Sequence, residues 1–299
     1  MQLEISKRIM PSKNILYIIN PNSGKKGVKK VVQLLRKEVV HNNLADIVYS
    51  EYPKHAIKLV QENLSAYDIF IAVGGDGTVN EVASQLIFTD KILGVLPVGS
   101  GNGFAREFGF KKDLSAINAA IKKNEHRLID TITINEHRFV NIAGIGFEGQ
   151  VTSVFSKMPL RGLKSYIKAT LKTLTTFKPF KAEIITKSKT YTGAFFSLTI
   201  ANTRQFGNNA LIVPHAKPDD GQIDVLLVKP FPKIMMAGFT GKMFMGLLKD
   251  AKYTTYLKTP DEVIINTKMN KIHIDGEALE INSPFHIKMD TNSLRVLCV

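Results

Sequence analysis

The chain has 299 residues, and 40 lysines and arginines against 26 aspartates and glutamates give it a formal net charge of +14. With 44% hydrophobic and 22% charged residues, its composition excludes a disordered or fibrous chain, and its length suffices for about two domains. The single cysteine, Cys298, excludes an intramolecular disulfide framework and a cysteine-based zinc site, and is typical of a reducing cytoplasmic setting.

Strands and helices alternate through the first 128 residues. The sequence predicts strands at 14–20, 45–50, 68–73 and 92–97, and helices at 28–40, 55–64, 78–88 and 114–122. This alternation is typical of βαβ units around a parallel sheet. We therefore expect an N-terminal α/β domain over residues 1–128.

Short β-rich segments follow from residue 129 onward. They lie at 129–134, 138–143, 182–187, 193–201, 223–228, 262–267, 271–274, 285–289 and 293–299. This spacing predicts a mainly antiparallel second domain, a sandwich or partly open barrel, over residues 129–289. Residues 290–299 are a candidate segment for joining the first domain.

Three glycine-rich segments, at 20–24, 74–78 and 99–103, each follow a predicted strand. Ligands bind beyond the carboxyl ends of strands in open α/β sheets, and backbone amides at a helix N-terminus bind anions. The pattern therefore predicts a polyphosphate site, with Thr78 as the cap of the following helix. The usual P-loop pattern is absent, and G-x-G-x-x-G at 144–149 lacks the acidic residue of a dinucleotide site.

Six motifs in chain order resemble those of the diacylglycerol kinase catalytic-domain family. They are N-P-N-S-G at 20–24, G-G-D-G-T-V-N-E-V at 74–82, L-P-V-G-S-G-N-G-F-A at 96–105, A-G-I-G-F-E at 143–148, P-H-A with D-G-Q-I-D-V within 214–225, and D-G-E at 275–277. This family includes bacterial lipid kinases and sphingosine kinases, with NAD kinases and 6-phosphofructokinases as distant relatives. The resemblance implies an N-terminal α/β nucleotide-binding domain like theirs, and a C-terminal, mainly antiparallel β-sandwich.

The resemblance further implies that ATP binds along the glycine-rich segments. The matching residues are Asn22, Ser50, Gly74, Gly75, Asp76, Gly77, Thr78, Val79, Asn80, Glu81, Gly99, Ser100, Asn102 and Arg106. The resemblance leaves four roles open for Asp76: contact with the ribose, contact with metal-bound water, ordering of the phosphates, or a plain Asx turn. Arg106 is either a phosphate ligand or a surface arginine.

A lipid alcohol is a poor acid, so its phosphorylation needs a base. The family has its base in the D-G-E motif, which implies Glu277 as the base and Asp275 as its orienting partner or a metal ligand; an ordinary hairpin turn is the alternative. Asp220, with the backbone carbonyls of Lys217 and Gln222, matches the family's structural Mg²⁺ loop, and a plain Asp-Gly turn is the alternative. The chain departs from many bacterial members at Gly103, where they have an aspartate at the metal–nucleotide site.

Basic and apolar residues recur every three or four positions between 157 and 174. The basic ones are Lys157, Arg161, Lys164, Lys168 and Lys172, and the apolar ones are Leu160, Leu163, Ile167, Leu171 and Leu174. A basic amphipathic helix is typical of binding to an anionic membrane surface, although a helix that covers the domain core has the same pattern. The methionine-rich stretch 234–248 is compatible with a lipid pocket, but core packing is favoured.

These features predict an ATP- and Mg²⁺-dependent lipid kinase that phosphorylates a diacylglycerol-like alcohol. No apolar run reaches the ~18 residues of a membrane span, so we expect a cytoplasmic protein held peripherally at the inner face of the membrane. A sphingoid-base or ceramide kinase, an NAD kinase and a catalytically silent nucleotide-binding regulator are the alternatives. Nucleic acid is not an expected partner, because the basic residues do not interleave with aromatic ones, and a homodimer is left open.

Overall fold

The fold is described from a computed structural model over residues 13–39, 45–159 and 162–299. Its first part contains β1 (Ile15–Ile19), α1 (Lys25–Val39), β2 (Ala45–Tyr49), α2 (His55–Asn63), β3 (Ile69–Gly74), α3 (Asp76–Leu86), β4 (Ile92–Pro97), α4 (Gly103–Glu107) and α5 (Leu114–Lys123). The four strands pair in parallel in the order β2-β1-β3-β4. The predicted α/β domain with a parallel sheet is thus confirmed.

The second part is mainly antiparallel. It contains β5 (His126–Ile134), β6 (His137–Phe139), β7 (Ile142–Gly146), α6 (Phe147–Ser156), α7 (Leu163–Thr176), β8 (Phe180–Ile185), β9 (Thr190–Phe195), β10 (Ser197–Ala201), β11 (Ile223–Val228), a 3₁₀ turn (Lys233–Met235), α8 (Met236–Phe244), β12 (Thr254–Thr259), β13 (Val263–Thr267), β14 (Lys271–Ile274), β15 (Glu277–Glu280) and β16 (Phe285–Leu297). Six of these strands form a separate sheet in the order β12-β11-β10-β7-β14-β15.

The long strand β16 connects the two parts. It pairs in parallel with β4 through Arg295 and Val296, and antiparallel with β5 and β13. The N-terminal parallel sheet therefore continues into the strands β13-β8-β9 of the second part. The register shifts between Asp290 and Leu294, which marks a bulge where the strand passes from one part to the other.

Four predicted strand segments differ from the structure. The segment 193–201 divides at Phe196 into β9 and β10, which lie in different sheets. The segment 138–143 divides into β6 and β7, whereas 285–289 and 293–299 are one strand. The hydrophobic pattern continues across each division, since both sheets bury apolar side chains, so the pattern alone does not mark a change of sheet.

The buried side chains form one core in the first part and two clusters in the second. The first core surrounds the fully buried strands β1, β3 and β4, and it includes Leu294, Val296 and Leu297 from β16. The second cluster lies between the continuing sheet and the six-stranded sheet, and the third lies between the six-stranded sheet and the helices that cover it. Continuous apolar runs such as that of β3 are typical of strands buried on both faces.

Candidate active site

The three glycine-rich segments meet at the carboxyl edge of the parallel sheet. Gly24 has φ +56°, and a Cβ on it would lie 1.9 Å from the carbonyl oxygen of Val98. A Cβ on Gly99 would lie 2.7 Å from the Cα of Gly75. Because only glycine allows backbones to approach this closely, the first and second segments both pack directly against the third.

Side chains of the first two segments join them further. Asn20 donates its Nδ2 to Thr78 Oγ1 at 3.2 Å, and its Oδ1 accepts the amide of Asn22 at 2.9 Å. The predicted role of Thr78 as helix cap is wrong, because α3 begins two residues earlier with Gly75 as its N-cap. The Thr78 hydroxyl instead fixes the first segment against the start of α3.

The Asp76 carboxylate ties the second segment to the third. It accepts the backbone amide of Phe104, 3.2 Å from its Oδ1, at the start of α4. Burial raises the pKa of Asp76 to about 6, and the nearby charge of Asp275 raises it further, whereas the amides of Phe104 and Gly103 lower it. The Asp76 side chain therefore reaches a different segment, which an Asx turn confined to its own loop would not do.

The other residues predicted to bind nucleotide differ in their exposure. The side chains of Asn22 and Ser100 are exposed, those of Ser50 and Val79 are buried, and Gly74 ends β3. The Asn102 Nδ2 donates to the carbonyl of Gly99 at 2.9 Å. Only the exposed residues and the loop amides could meet a nucleotide directly; Ser50 and Val79 could contribute through their backbone.

Arg106 lies across the third segment. Its Nε donates to the carbonyl of Gly101 at 3.2 Å, and one terminal nitrogen donates to Asn209 Oδ1 at 3.2 Å. The Arg106 side chain is exposed and lies beside the glycine-rich loops, so its predicted contact with phosphate stays a prediction.

Gly103 is required by packing. A Cβ at this position would lie 2.8 Å from both Asn141 Nδ2 and the carbonyl oxygen of Phe206. Gly207, with φ +125°, brings its own backbone into close contact with the backbone of Gly101. The second part of the chain thus occupies the space that an aspartate side chain would need here.

Asp275 is a buried centre of hydrogen bonds, with 4% of its surface exposed. Its carboxylate accepts from Asn80 Nδ2 at 2.8 Å and from the backbone amides of Val140, Asn141 and Ile142 at 3.1, 3.0 and 3.0 Å. Burial raises the pKa of Asp275, and these donors oppose the rise. Each oxygen already has two donors, which favours a positioning role over metal binding.

The D-G-E motif forms a tight hairpin turn between β14 and β15. Asp275 and Gly276 have φ values of +47° and +84°, as a two-residue type I′ turn requires, and Ile274 pairs with Glu277 across it. A hairpin turn and a role for Glu277 as the base are therefore compatible, because the turn directs Glu277 toward the second glycine-rich segment.

The Glu277 carboxylate packs against that segment. Its Oε1 lies 3.2 Å from where a Cβ on Gly77 would be. Burial raises the pKa of Glu277, the charges of Glu81 and Asp275 raise it further, and the charge of Lys54 opposes them. Within the described part of the chain, no hydrogen-bond donor is assigned to this carboxylate. Such a group can accept a proton from a bound alcohol.

Glu81 has a structural contact of its own. Its carboxylate accepts the amides of Lys54 at 3.1 Å and Ala56 at 3.2 Å, so it caps the N-terminus of α2. Burial raises the pKa of Glu81. Its predicted contact with nucleotide stays a prediction.

A cleft of about 280 Å³ opens beside Glu277. Lys54, Asn80, Glu81 and Arg138 are among the residues that line it. Lys54 and Arg138 were not anticipated from the sequence, because they lie outside every recognisable motif. The cleft leads to Glu277 from the side of α2 and β6.

Two family models account for nearly the whole chain. The model of the diacylglycerol kinase catalytic domain matches residues 14–134, and that of the YegS C-terminal NAD kinase beta sandwich-like domain matches residues 141–298. The chain belongs to the diacylglycerol kinase-like lipid kinase family. It is therefore a phosphotransferase of the lipid kinase class.

Individual relatives agree with this assignment. A diacylglycerol kinase of Bacillus subtilis is 29% identical over 275 residues, covering 89% of this chain and 87% of its own. The structure of a diacylglycerol kinase from Bacillus anthracis has a TM-score of 0.73 at 22% identity, covering 97% of this chain and 98% of its own. Yeast NADH kinase in complex with NADH has a TM-score of 0.52 at 12% identity, covering 97% and 84%. At these identities both structures show a shared fold alone.

In this lipid kinase, the ammonium group of Lys258 on β12 contacts the loop predicted to bind magnesium. Asp220 Oδ1 accepts the amide of Gln222 at 3.1 Å, and its Oδ2 accepts Lys258 Nζ at 2.7 Å. Among the described residues, no group of three or more histidine, cysteine or acidic side chains is placed to hold a metal. Mg²⁺ needs a shell of oxygen ligands. With the Lys258 ammonium against Asp220, this carboxylate and the backbone carbonyls of Lys217 and Gln222 do not form such a shell.

The basic helix of the lipid kinase is shorter than predicted. Lys157 ends α6 rather than belonging to α7, Leu160 and Arg161 lie outside the described residues, and the side chain of Leu163 is not described. On α7, Ala169 and Thr173 are buried, whereas Leu171 is 60% exposed. The remaining members of the pattern divide between an exposed group, Lys164, Ile167, Lys168 and Lys172, and the partly buried Leu174.

The methionine-rich stretch is also more exposed than predicted. Ile234 is 88% exposed, and Met235, Phe244, Met245 and Leu247 are exposed as well. Core packing, the favoured interpretation, is therefore wrong for these side chains. Lys233 donates from this stretch to the carbonyl of Thr175 at 3.0 Å, so it adjoins the end of α7. Within the described ranges, no helix has the length and apolarity to span a bilayer.

Proposed function

We propose that this lipid kinase transfers the γ-phosphoryl group of ATP to the hydroxyl of a diacylglycerol-like lipid, with Glu277 as the base. The observation that carries the proposal is the contact of Glu277 with Gly77. It puts a carboxylate that receives no hydrogen bond from the described residues against the loop expected to hold the triphosphate. Phosphoryl transfer depends mainly on positioning and charge neutralisation, so this juxtaposition of loop and base is its essential geometry.

The nucleotide would bind with its phosphates against the amides of the three glycine-rich segments. The N-terminus of α3 contributes a positive dipole at this position, and its first residue is Asp76. Mg²⁺ would enter with ATP as part of the substrate and neutralise phosphate charge. Arg106, exposed beside Gly101, would contribute a further positive charge.

The acceptor would approach Glu277 through the adjacent cleft. As the lipid hydroxyl oxygen forms its bond to the γ-phosphorus, its proton passes to the Glu277 carboxylate. The bond from the γ-phosphorus to the bridging oxygen breaks, and ADP leaves with that electron pair. A raised pKa supports this role, because it makes Glu277 a stronger base than an ordinary glutamate.

The acceptor lies in a membrane, so the enzyme must reach one. The exposed lysines of α7, Lys164, Lys168 and Lys172, lie on the same helix as exposed Ile167 and Leu171. The end of this helix adjoins Lys233, which precedes the exposed side chains of Ile234, Met235, Phe244, Met245 and Leu247. This combination of positive charge and exposed apolar side chains supports peripheral binding to an anionic bilayer.

The test is transfer of labelled γ-phosphate from ATP-Mg²⁺ to lipids in mixed micelles. The panel contains diacylglycerol, monoacylglycerol, sphingosine, ceramide and, as a soluble acceptor, NAD. We expect labelled diacylglycerol from the native enzyme, a loss of about 100-fold or more for Glu277→Gln, and no such loss for Glu280→Gln on the exposed end of the same strand. Transfer to a sphingoid lipid or to NAD alone would name a different acceptor. Binding of ATP with no transfer at all would indicate a silent regulator.

A further inference from the structure

Lys258 lies between two carboxylates of the six-stranded sheet and its adjoining loop. Its Nζ is 2.7 Å from Asp220 Oδ2 and 3.5 Å from Asp224 Oδ2. Asp224 on β11 and Lys258 on β12 are direct cross-strand partners. The ammonium group therefore joins the loop at 217–222 to the two strands that follow it.

The same loop is held from its other side by Asp130. This buried carboxylate accepts the amide of Gly221 at 2.7 Å and that of Asn292 at 2.8 Å, and the amide of Asp130 donates to the carbonyl of Pro218. Three aspartates, at 130, 220 and 224, thus converge on one short loop. The charges of Asp220 and Asp224 repel each other, and the Lys258 ammonium lies between these two carboxylates.

Among the described residues, the Lys258 ammonium and the His215 imidazole face Asp224, which is fully buried. The His215 Nε2 lies 3.5 Å from Asp224 Oδ1, on the side away from Lys258. Burial raises the pKa of Asp224, and the charges of Lys258 and His215 oppose the rise. Burial would lower the pKa of Lys258, but Asp220 and Asp224 raise it, so the amine stays charged.

We propose that the Lys258 ammonium takes the place of a divalent cation in this loop, so that residues 217–222 are held without bound metal. Lysine is a compact charge with three donors, and at 2.7 Å it takes the Asp220 oxygen that a metal would need. A magnesium ion bound to that oxygen would lie within a few ångströms of the ammonium, and the two positive charges would repel. The inference concerns a structural loop and is independent of the acceptor that the kinase uses.

The experiment measures metal binding and thermal unfolding of the full chain without nucleotide. Mn²⁺ serves as the spectroscopic probe, and melting is followed in EDTA and in millimolar MgCl₂. For the native chain we expect no Mn²⁺ site that depends on Asp220 and the same melting temperature in both buffers. Lys258→Met should melt several degrees lower in EDTA, roughly 3 °C for each kcal/mol lost, and Mg²⁺ should restore part of the loss.

Variants separate charge from packing. Lys258→Arg keeps the charge, so its melting temperature should not depend on Mg²⁺. Lys229→Met changes an exposed lysine beyond the end of β11 and is the matched control. Lys258→Met should gain one Mn²⁺ site that is lost again when Asp220→Asn is added. The proposal is overturned if native protein binds Mn²⁺ and Asp220→Asn abolishes that binding, or if Lys258→Met melts like the native chain in EDTA. If Lys258→Met fails to fold, the native chain and Asp220→Asn still decide the question.

Discussion

Asn80 and Asp275 are 195 residues apart in the chain and are joined by a hydrogen bond of 2.8 Å from Asn80 Nδ2 to Asp275 Oδ2. Asn80 lies one turn into α3, which begins within the second glycine-rich segment, and Asp275 begins the turn that ends at Glu277. This bond therefore sets the distance between the proposed phosphate-binding loop and the proposed base. The Asp275 carboxylate, which has no catalytic contact of its own, can therefore act on the reaction by positioning Glu277.

Asp275→Asn should disturb both stability and activity. The substitution removes the charge and turns one oxygen into a donor that faces other donors, which costs about 2–4 kcal/mol in the free energy of unfolding. Chemical denaturation measures this loss, and kcat should fall at the same time. Asn80→Ala should cost less, and the two changes together should be non-additive by at least about 0.5 kcal/mol, since they share one contact. Simple additivity would contradict a coupling between the two residues.

The pH dependence of kcat/KM should report the raised pKa of Glu277. The base must be deprotonated to work, so activity should fall on the acid side at a pH above the ordinary glutamate pKa. Glu81→Gln removes a charge that raises this pKa and should move the acid limb to lower pH. Lys54→Met removes the opposing charge and should move it to higher pH. Shifts in the same direction for both variants would rule out Glu277 as the group that titrates.

Asp76→Asn should make the protein more stable and less active at neutral pH. The pKa of Asp76 is about 6 in the folded chain, above its ordinary value, so the folded state binds this proton more tightly than the unfolded state. Stability from this group is therefore fully present below the ordinary aspartate pKa and is lost as the pH rises through 6, by about 3 kcal/mol in total. The amide keeps an oxygen for the Phe104 amide without that loss. Unfolding free energies at pH 4.5 and 8 measure the difference, and an equal effect at both would exclude this cause.

Gly103→Asp introduces the residue that the family resemblance predicts at this position and should nevertheless be harmful. The new side chain would meet Asn141 and the Phe206 carbonyl, at a cost of about 1–3 kcal/mol for overpacking. Gly193→Ala, where a Cβ meets nothing within 4 Å, is the matched control. A rise in kcat without loss of melting temperature would show that the neighbouring backbone yields easily.

Membrane binding should depend on the exposed face of α7. Changing Lys164, Lys168 and Lys172 together to glutamine should weaken sedimentation with anionic vesicles by about 100-fold, since each basic residue near such a surface contributes about 1 kcal/mol. Added salt should weaken the native protein's binding in the same direction. Lys123→Gln on α5 serves as the control, and undiminished vesicle binding by the triple variant would place the contact elsewhere.

The sequence predicts the parallel sheet and the convergence of the glycine-rich segments because both follow from local patterns: apolar strands, three of which are followed by a glycine-rich segment. It does not predict the donors of Asp275, since three of them are backbone amides of Val140, Asn141 and Ile142 and have no side-chain signature. Nor does it predict the pairing of Lys258 with Asp220, which depends on the register between β11 and β12. Contacts of this kind are set by tertiary packing alone.

Strand β16 also has a consequence for how the polypeptide matures during synthesis. β4 is bounded by β3 on one side and by residues 295 and 296 of β16 on the other. A nascent chain that has completed the glycine-rich loops therefore still presents an open backbone edge on β4, and that edge is closed only after about 190 further residues have left the ribosome. Contacts of such long sequence separation slow folding, so the N-terminal half depends on late-made residues to protect it from pairing with other chains.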